Sequence, residues 1–221
     1  MGMDYSKINE IVKERLKQAH DTSKESVRKE FFEAEYKFFN EKIKGKRVLV
    51  AGSGLGHDSL EIARNNNEVI GIELVKDYVN ISKKKADEKN LKNVKFLQGD
   101  FRKIPFEKKS FDVAVLNMGT ISDFKDKKTI LKELLRVAKM VYFDFYPPTT
   151  RSLEKRMKMY EEENWKNVRI ESNALISDEG LFSESITKKK IKDISEELGS
   201  EVRFFDFCDF ATMAKLTQEK I

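Results

Sequence analysis

The residues whose types and spacing could do chemistry lie between Val48 and Asn117. In VLVAGSGLG, Gly52, Gly54 and Gly56 alternate with Ser53 and Leu55 between an apolar run and a helical pattern. Glycine lets the backbone turn sharply and approach a ligand with no Cβ in the way. The helix behind it offers unpaired N–H groups to an anion. Taken alone, such a turn is common to several classes of nucleotide binder and to plain tight turns. Glu73, followed by Leu74, closes VIGIE, where a carboxylate can accept both hydroxyls of a ribose. In LQGDF, Asp100 can accept from an adenine amino group while Phe101 bounds the ring. Asn117 ends DVAVLN, where it reads either as a ligand contact or as a turn former before Gly119. Asp58, just inside the helix, reads either as a contact to a ligand's cationic end or as ordinary helix N-terminal charge. No general base stands out. Asn117, Asp144, Tyr146 and His57 qualify by position only, and the catalytic residues stay open.

Positioning these groups requires a particular order of elements. KRVLVAG, EVIGIE, NVKFLQ, SFDVAVLN and MVYFDF read as short strands, the first and second fully apolar. HDSLEIARNNN, VKDYVNISKKKADEKN and DKKTILKELLRVAK read as the helices between them. This alternation predicts an α/β fold, a doubly wound and mostly parallel sheet with helices on both faces. Ligands then bind at the carboxyl ends of the strands, which is where the residues above fall. After Pro147 and Pro148 the rhythm breaks. A helix is expected over 149–164, a hairpin around Ser177–Gly180, and a helix from Thr187, which caps it, to Gly199. EVRFFDF and FATMAKLT then read as two strands joined by a tight turn.

With these residues in place, the chain resembles the class I S-adenosylmethionine-dependent methyltransferases over about residues 45–146, and more loosely beyond. The resemblance implies that VLVAGSGLG is the glycine-rich first motif. It also implies that Glu73 holds the ribose and that Asp100 with Phe101 holds the adenine. FDVAVLN would line cofactor and substrate. It implies a seven-stranded sheet in which only the strand last in sequence is antiparallel. The cofactor expected is S-adenosylmethionine, bound by Gly52, Ser53, Gly54, Gly56, Asp58, Glu73, Leu74, Asp100, Phe101 and Asn117. One departure stands out. The family carries an acid two residues before the first glycine, and this chain has Val50; Asp58 is the candidate to take over that contact.

Composition narrows the alternatives. The chain has 221 residues, 43 Lys+Arg against 38 Asp+Glu, one cysteine and two histidines. An internal disulfide is excluded, and no metal site is expected. Cys208 reads as a small apolar residue, and His20 as a surface residue. Lys83–Lys85 and Lys188–Lys190 read as solvated helix faces. No apolar stretch reaches the roughly 20 residues of a membrane span, and the start, MGMDYSKINEIVKERLKQ, has no apolar signal core. A cytoplasmic protein without a membrane partner is expected.

The expected reaction is methyl transfer by in-line displacement to an acceptor of the small-molecule class. An RNA methyltransferase is the first alternative, because Arg151, Lys155, Arg156 and Lys158 could contact phosphates. A non-catalytic S-adenosylmethionine-binding protein is the second. A nicotinamide-dependent oxidoreductase fits poorly, because the third glycine of its fingerprint would fall on His57. Residues 1–44 are expected to form an N-terminal helical cap on a domain of residues 45–221, with 147–186 a substrate-side insertion. Ile8, Ile11, Val12, Leu16 and Ala19 mark one helix, and Phe32, Tyr36, Phe39 and Ile43 the face of a second. Phe31 and Phe38 flank that face and are expected either to pack in the core or to border the pocket of a closing lid.

Overall fold

The computed structural model describes residues 25–218. The expected first helix, the break at 21–24 and His20 lie outside the described residues. Helix α1 (Val27–Lys42) begins where the Ser26 side chain accepts the Lys29 amide at 3.1 Å, satisfying one orphan donor. Strands β1 (Arg47–Ala51), β2 (Glu68–Glu73), β3 (Val94–Gln98), β4 (Phe111–Leu116) and β5 (Ala138–Phe145) alternate with α2 (His57–Ala63), α3 (Lys76–Glu88) and α4 (Lys127–Val137). A 3₁₀ turn, Thr120–Asp123, follows β4. Helix α5 (Thr150–Glu162) leads into three short strands, β6 (Arg169–Glu171), β7 (Ala174–Ile176) and β8 (Phe182–Glu184). Helix α6 (Lys188–Glu197), capped by Thr187, precedes β9 (Ser200–Asp206) and β10 (Thr212–Gln218).

The main sheet has seven strands in the order β3-β2-β1-β4-β5-β10-β9. The first five are mutually parallel, and β10 runs antiparallel to both β5 and β9. This is the doubly wound topology expected. Its chain order reverses between β1 and β4, which opens a crevice at their carboxyl ends.

Both faces of the sheet are covered because β1 is apolar on both. Leu49 and Ala51 pack with Ile72, Leu116 and the inner side of α4, including Leu131 and Leu134. Val48 and Val50 pack with Val115, with Leu60 of α2 and with Phe39 and Ile43 of α1. Each such side chain contributes roughly 1.5–3 kcal/mol when fully buried. A third cluster lies beyond the strand ends. There Val27 and Phe31 of α1 meet Tyr146, Tyr160, Leu175 and Phe210.

Two element boundaries differ from the pattern reading. Helix α4 ends at Val137, and Ala138, read as helical, pairs with Phe111 in the sheet. Tertiary pairing overrides local propensity there. Helix α2 stops at Ala63. Beyond it Asn67 turns its amide inward to the Ile62 carbonyl at 2.7 Å and the Ile43 carbonyl at 3.1 Å. The expected hairpin is present as β7–β8, extended by β6 into a three-stranded antiparallel sheet. Lys188–Lys190 are exposed as expected, but Lys85 is half-buried. Its ammonium donates to the Leu55 carbonyl at 3.2 Å and lies 2.9 Å from His57 Nε2. Cys208 packs against the third cluster, and burial pushes its thiol up to about 12.

Candidate functional site

A cavity opens at the carboxyl ends of β1, β2 and β4. Its polar half is built from the glycine loop. Gly52 and Gly54 have φ of 67° and 51°, conformations that favour glycine. The Glu73 carboxylate holds the loop in place. It accepts the Gly54 amide at 3.0 Å on one oxygen and the Val75 amide at 2.9 Å on the other. Burial raises its pKa, and those amides oppose the rise. Each oxygen keeps a lone pair for a further donor.

Of the ten expected cofactor residues, nine line this cavity: Gly52, Ser53, Gly54, Asp58, Glu73, Leu74, Asp100, Phe101 and Asn117. Gly56 does not. A Cβ there would lie 2.8 Å from Ser82 Oγ and 3.0 Å from Phe96, so Gly56 allows α2 and α3 to pack on the sheet rather than a ligand to approach. Asp100 sits at the rim in a pairing the sequence did not signal. Arg102 Nε lies 2.9 Å from both of its oxygens and Nη2 2.6 Å from Oδ2, which holds the Asp100 pKa below the usual range. Asp58 is buried, and that burial pushes its pKa up to about 7, with the neighbouring Asn117 amide pulling the other way. Among the described residues, Ser53 Oγ and Asp58 Oδ1 are buried without a hydrogen-bond partner, and both residues line the cavity. Unsatisfied polar atoms around one hollow are what a polar ligand would complete.

The other half of the cavity is aromatic. Tyr146, Tyr160, Trp165 and Phe124 form its walls, with Met118 and Leu181. Arg28 of α1 reaches in and is ion-paired with Glu163, which also accepts from Trp165 Nε1 at 3.1 Å. The Tyr146 hydroxyl donates to the Met118 carbonyl at 3.3 Å. Burial raises the pKa of both tyrosines, so they stay protonated.

One alternative is decided and three expectations need correction or relocation. Of the two readings of Phe31 and Phe38, core packing holds, and neither borders the cavity. Phe31 packs on Phe210 at 5.0 Å between ring centroids, and Phe38 on Phe205 at 5.5 Å. Their own helix instead presents Arg28 to the cavity. His57 lies outside the lining. It stacks on Phe32, and burial together with Lys85 lowers its pKa to about 4. Asp144, beneath the Met118–Gly119 turn, also stays out of the lining. The basic residues after β5 are engaged within the chain. Arg151 pairs with Asp209, Lys155 with Glu30 and Lys158 with Glu162. Arg156 is buried, with its guanidinium on Ser183 and Ser185 and 4.8 Å from the Tyr146 ring centroid.

The pattern reading missed Arg28, Glu163, Tyr160, Trp165 and Leu181, since no motif marks them. It also missed Glu35, although a glutamate flanked by Phe31, Phe32, Phe38 and Phe39 on one helix is a signal in itself. Among the described residues, no group of three or more His, Cys, Asp or Glu has a metal-holding arrangement, and no helix is long and apolar enough to cross a membrane.

Comparison with known proteins agrees with this geometry. Residues 42–199 match the family described as "Methyltransferase domain". The demethylmenaquinone methyltransferase of Lactococcus lactis is 30% identical over 175 residues, covering 76% of this chain and 63% of that protein. The uncharacterized methyltransferase YcgJ of Bacillus subtilis is 33% identical over 106 residues, covering 46% of this chain and 42% of that one. The chain thus spans less than two thirds of these relatives. Among solved structures, magnesium protoporphyrin IX methyltransferase from Synechocystis, with bound S-adenosylhomocysteine, superposes with a TM-score of 0.71. The identity is 14%, with 97% of each chain covered. At that identity the likeness concerns the fold.

Proposed function

The chain belongs to the methyltransferase-domain family, class I and S-adenosylmethionine-dependent, and from that premise we propose that it methylates a small, uncharged aromatic molecule. One observation carries the reading: a single cavity joins the polar cradle to the aromatic chamber. Bound S-adenosylmethionine supplies an electrophilic sulfonium methyl. The protein's task is then to align an acceptor atom in line with that methyl and to exclude water.

Glu73 takes the ribose hydroxyls on the lone pairs left by its two amide donors. Asp58, with its unsatisfied inner oxygen, and the neighbouring Asn117 face the methionine end. Asp100 and Phe101 bound the adenine, with Arg102 keeping the carboxylate ionised. Tyr146, Tyr160 and Trp165 sandwich the acceptor ring, and neither protonated tyrosine serves as a base. Arg28 reaches the chamber from α1, which supports the reading that the N-terminal segment closes over the site.

The charge balance supports an uncharged acceptor. Arg28 and Arg102, the cations lining the cavity, are already paired with Glu163 and Asp100. A phosphate or carboxylate would have to displace one of these partners. The name of the Lactococcus lactis relative, a demethylmenaquinone methyltransferase, also supports a ring acceptor. The RNA alternative draws no support from Arg151, Lys155, Arg156 and Lys158, which are paired or buried. A labelled-methyl transfer assay over phenols, quinols and total RNA tests the reading. Label in a ring compound is the expected result. Label confined to RNA overturns the acceptor class, and tight S-adenosylhomocysteine binding with no transfer to any pool favours a non-catalytic binder.

A further inference from the structure

Glu35 occupies an expensive position. It sits on α1 with 0% exposure, surrounded in sequence by buried phenylalanines. An acid there is tolerated only if hydrogen bonds or protonation offset its desolvation. Its Oε1 accepts the Met118 amide at 2.9 Å, across 83 residues of sequence. The next amide, Gly119, donates to Asp144 Oδ1 of β5 at 2.8 Å, and Asp144 is also 0% exposed. Both turn residues are left-handed, with φ of 58° and 67°, which turns successive amides away from the strand and toward the two acids. Among the described residues, the remaining oxygens, Glu35 Oε2 and Asp144 Oδ2, are buried with no other partner, and the two side chains lie within hydrogen-bonding reach of each other.

Two buried carboxyls, each with one oxygen committed to a turn amide and each within hydrogen-bonding reach of the other, cannot both be ionised at low cost. We propose that Glu35 and Asp144 share one proton and act together as positioning residues. The pair clamps the Met118–Gly119 turn, and so seats Asn117 in the cavity floor only when α1 is docked. This rests on the methyltransferase reading for its binding readout, but the shared proton does not.

The groups facing the pair are themselves acidic or neutral. Asp58 and Glu61 lie on α2, Tyr36 on α1 itself, Asn117 on the turn and Cys208 before β10. Tyr146 faces Asp144 as well, and two cations reach this network through the tyrosines, Arg64 beside Tyr36 and Arg28 beside Tyr146. Burial raises the pKa of both acids, Asp144 to about 6 and Glu35 well above its ordinary value. The folded protein therefore binds a proton that the unfolded chain, with ordinary carboxyls, has released. Stability from this pair is fully present below the ordinary carboxyl range and is lost as pH rises through the folded values.

The experiment compares wild type with Glu35→Gln and Glu35→Ala. Glutamine keeps the carbonyl for the Met118 amide and offers an N–H to Asp144, imitating the shared proton. Glu35→Gln should hold S-adenosylhomocysteine within about twofold of wild type, whereas Glu35→Ala should lose roughly tenfold. The melting temperature of wild type should fall as pH rises from the ordinary carboxyl range through about 6, and that of Glu35→Gln should fall less. Buried Asp58 adds its own protonated-carboxyl signal to both proteins, so the readout is the infrared difference, wild type minus Glu35→Gln at pH 6, which should contain a protonated-carboxyl stretch. Were glutamine to damage binding as much as alanine, or were the difference spectrum to lack the stretch and the pH slope to be unchanged in Glu35→Gln, the pair would not share a proton. If S-adenosylhomocysteine fails to bind wild type, the cofactor reading falls, while the stretch and the slope still decide the proton.

Discussion

The two halves of the cavity were built by different means. The polar half comes from the ends of consecutive parallel strands, so its residues follow one another through the sequence from Gly52 to Asn117. The aromatic half is assembled from α1, the turn after β4, the end of β5, α5 and the loop before β8, and Arg28 meets Glu163 across 135 residues. The first half is held by backbone geometry: left-handed glycines, strand-end amides and one carboxylate. The second is held by packing and a buried ion pair. A cofactor shared by a whole family can be read by backbone and strand ends, while the acceptor is read by side chains on elements free to vary.

This contrast can be broken at one residue that serves both halves. A Cβ on Gly119 would fall 2.2 Å from the Tyr146 ring, and its φ is 67°. Gly119→Ala should therefore cost about 3 kcal/mol or more in stability and impair cofactor and acceptor binding together. Denaturant unfolding and calorimetry would measure both, and a well-folded variant with wild-type cofactor affinity would contradict the geometry.

The halves should separate under the next two substitutions. Glu73→Ala loses the carboxylate that holds Gly54 and, in the proposed role, the ribose. S-adenosylhomocysteine affinity should drop by about 1.5–3 kcal/mol in calorimetry, with the apparent KM for the acceptor little changed. Trp165→Ala should do the opposite, since loss of an aromatic wall costs on the order of 1–3 kcal/mol of acceptor binding. It should raise the acceptor KM and leave S-adenosylhomocysteine affinity within about twofold. A Trp165→Ala protein that loses cofactor instead would merge the two halves into one site.

The smallest effect is expected at Asp100. It is partly exposed and its carboxylate is already satisfied by Arg102. Asp100→Ala should weaken S-adenosylhomocysteine by less than about 1.5 kcal/mol, less than Glu73→Ala does. A larger loss at Asp100 than at Glu73 would reverse the order of anchoring within the polar half.

Much of this was legible before any coordinates. Strand periodicity located all seven main strands, because a parallel sheet buried on both faces needs continuous apolar runs such as RVLVA. The glycines with Glu73, Asp100 and Asn117 marked the crevice, because strand ends in such a sheet converge by topology. Local pattern failed where long-range contact decided the outcome. Ala138 joined the sheet because Phe111 offered it a ladder partner. Gly56 became a packing glycine because Ser82 of α3 lies under it. Arg28, one turn from the core residue Phe31, reached the cavity, and no motif marked it.

By itself, then, the sequence determined the sheet, its crevice and the polar half of the cavity, since these depend on interactions repeated at short and regular spacing. Only the tertiary structure decided the aromatic half, the pairing of Arg28 with Glu163 and the burial of Glu35 against Asp144. Each of those depends on which distant side chains meet once the helices have packed, and no local spacing encodes that meeting.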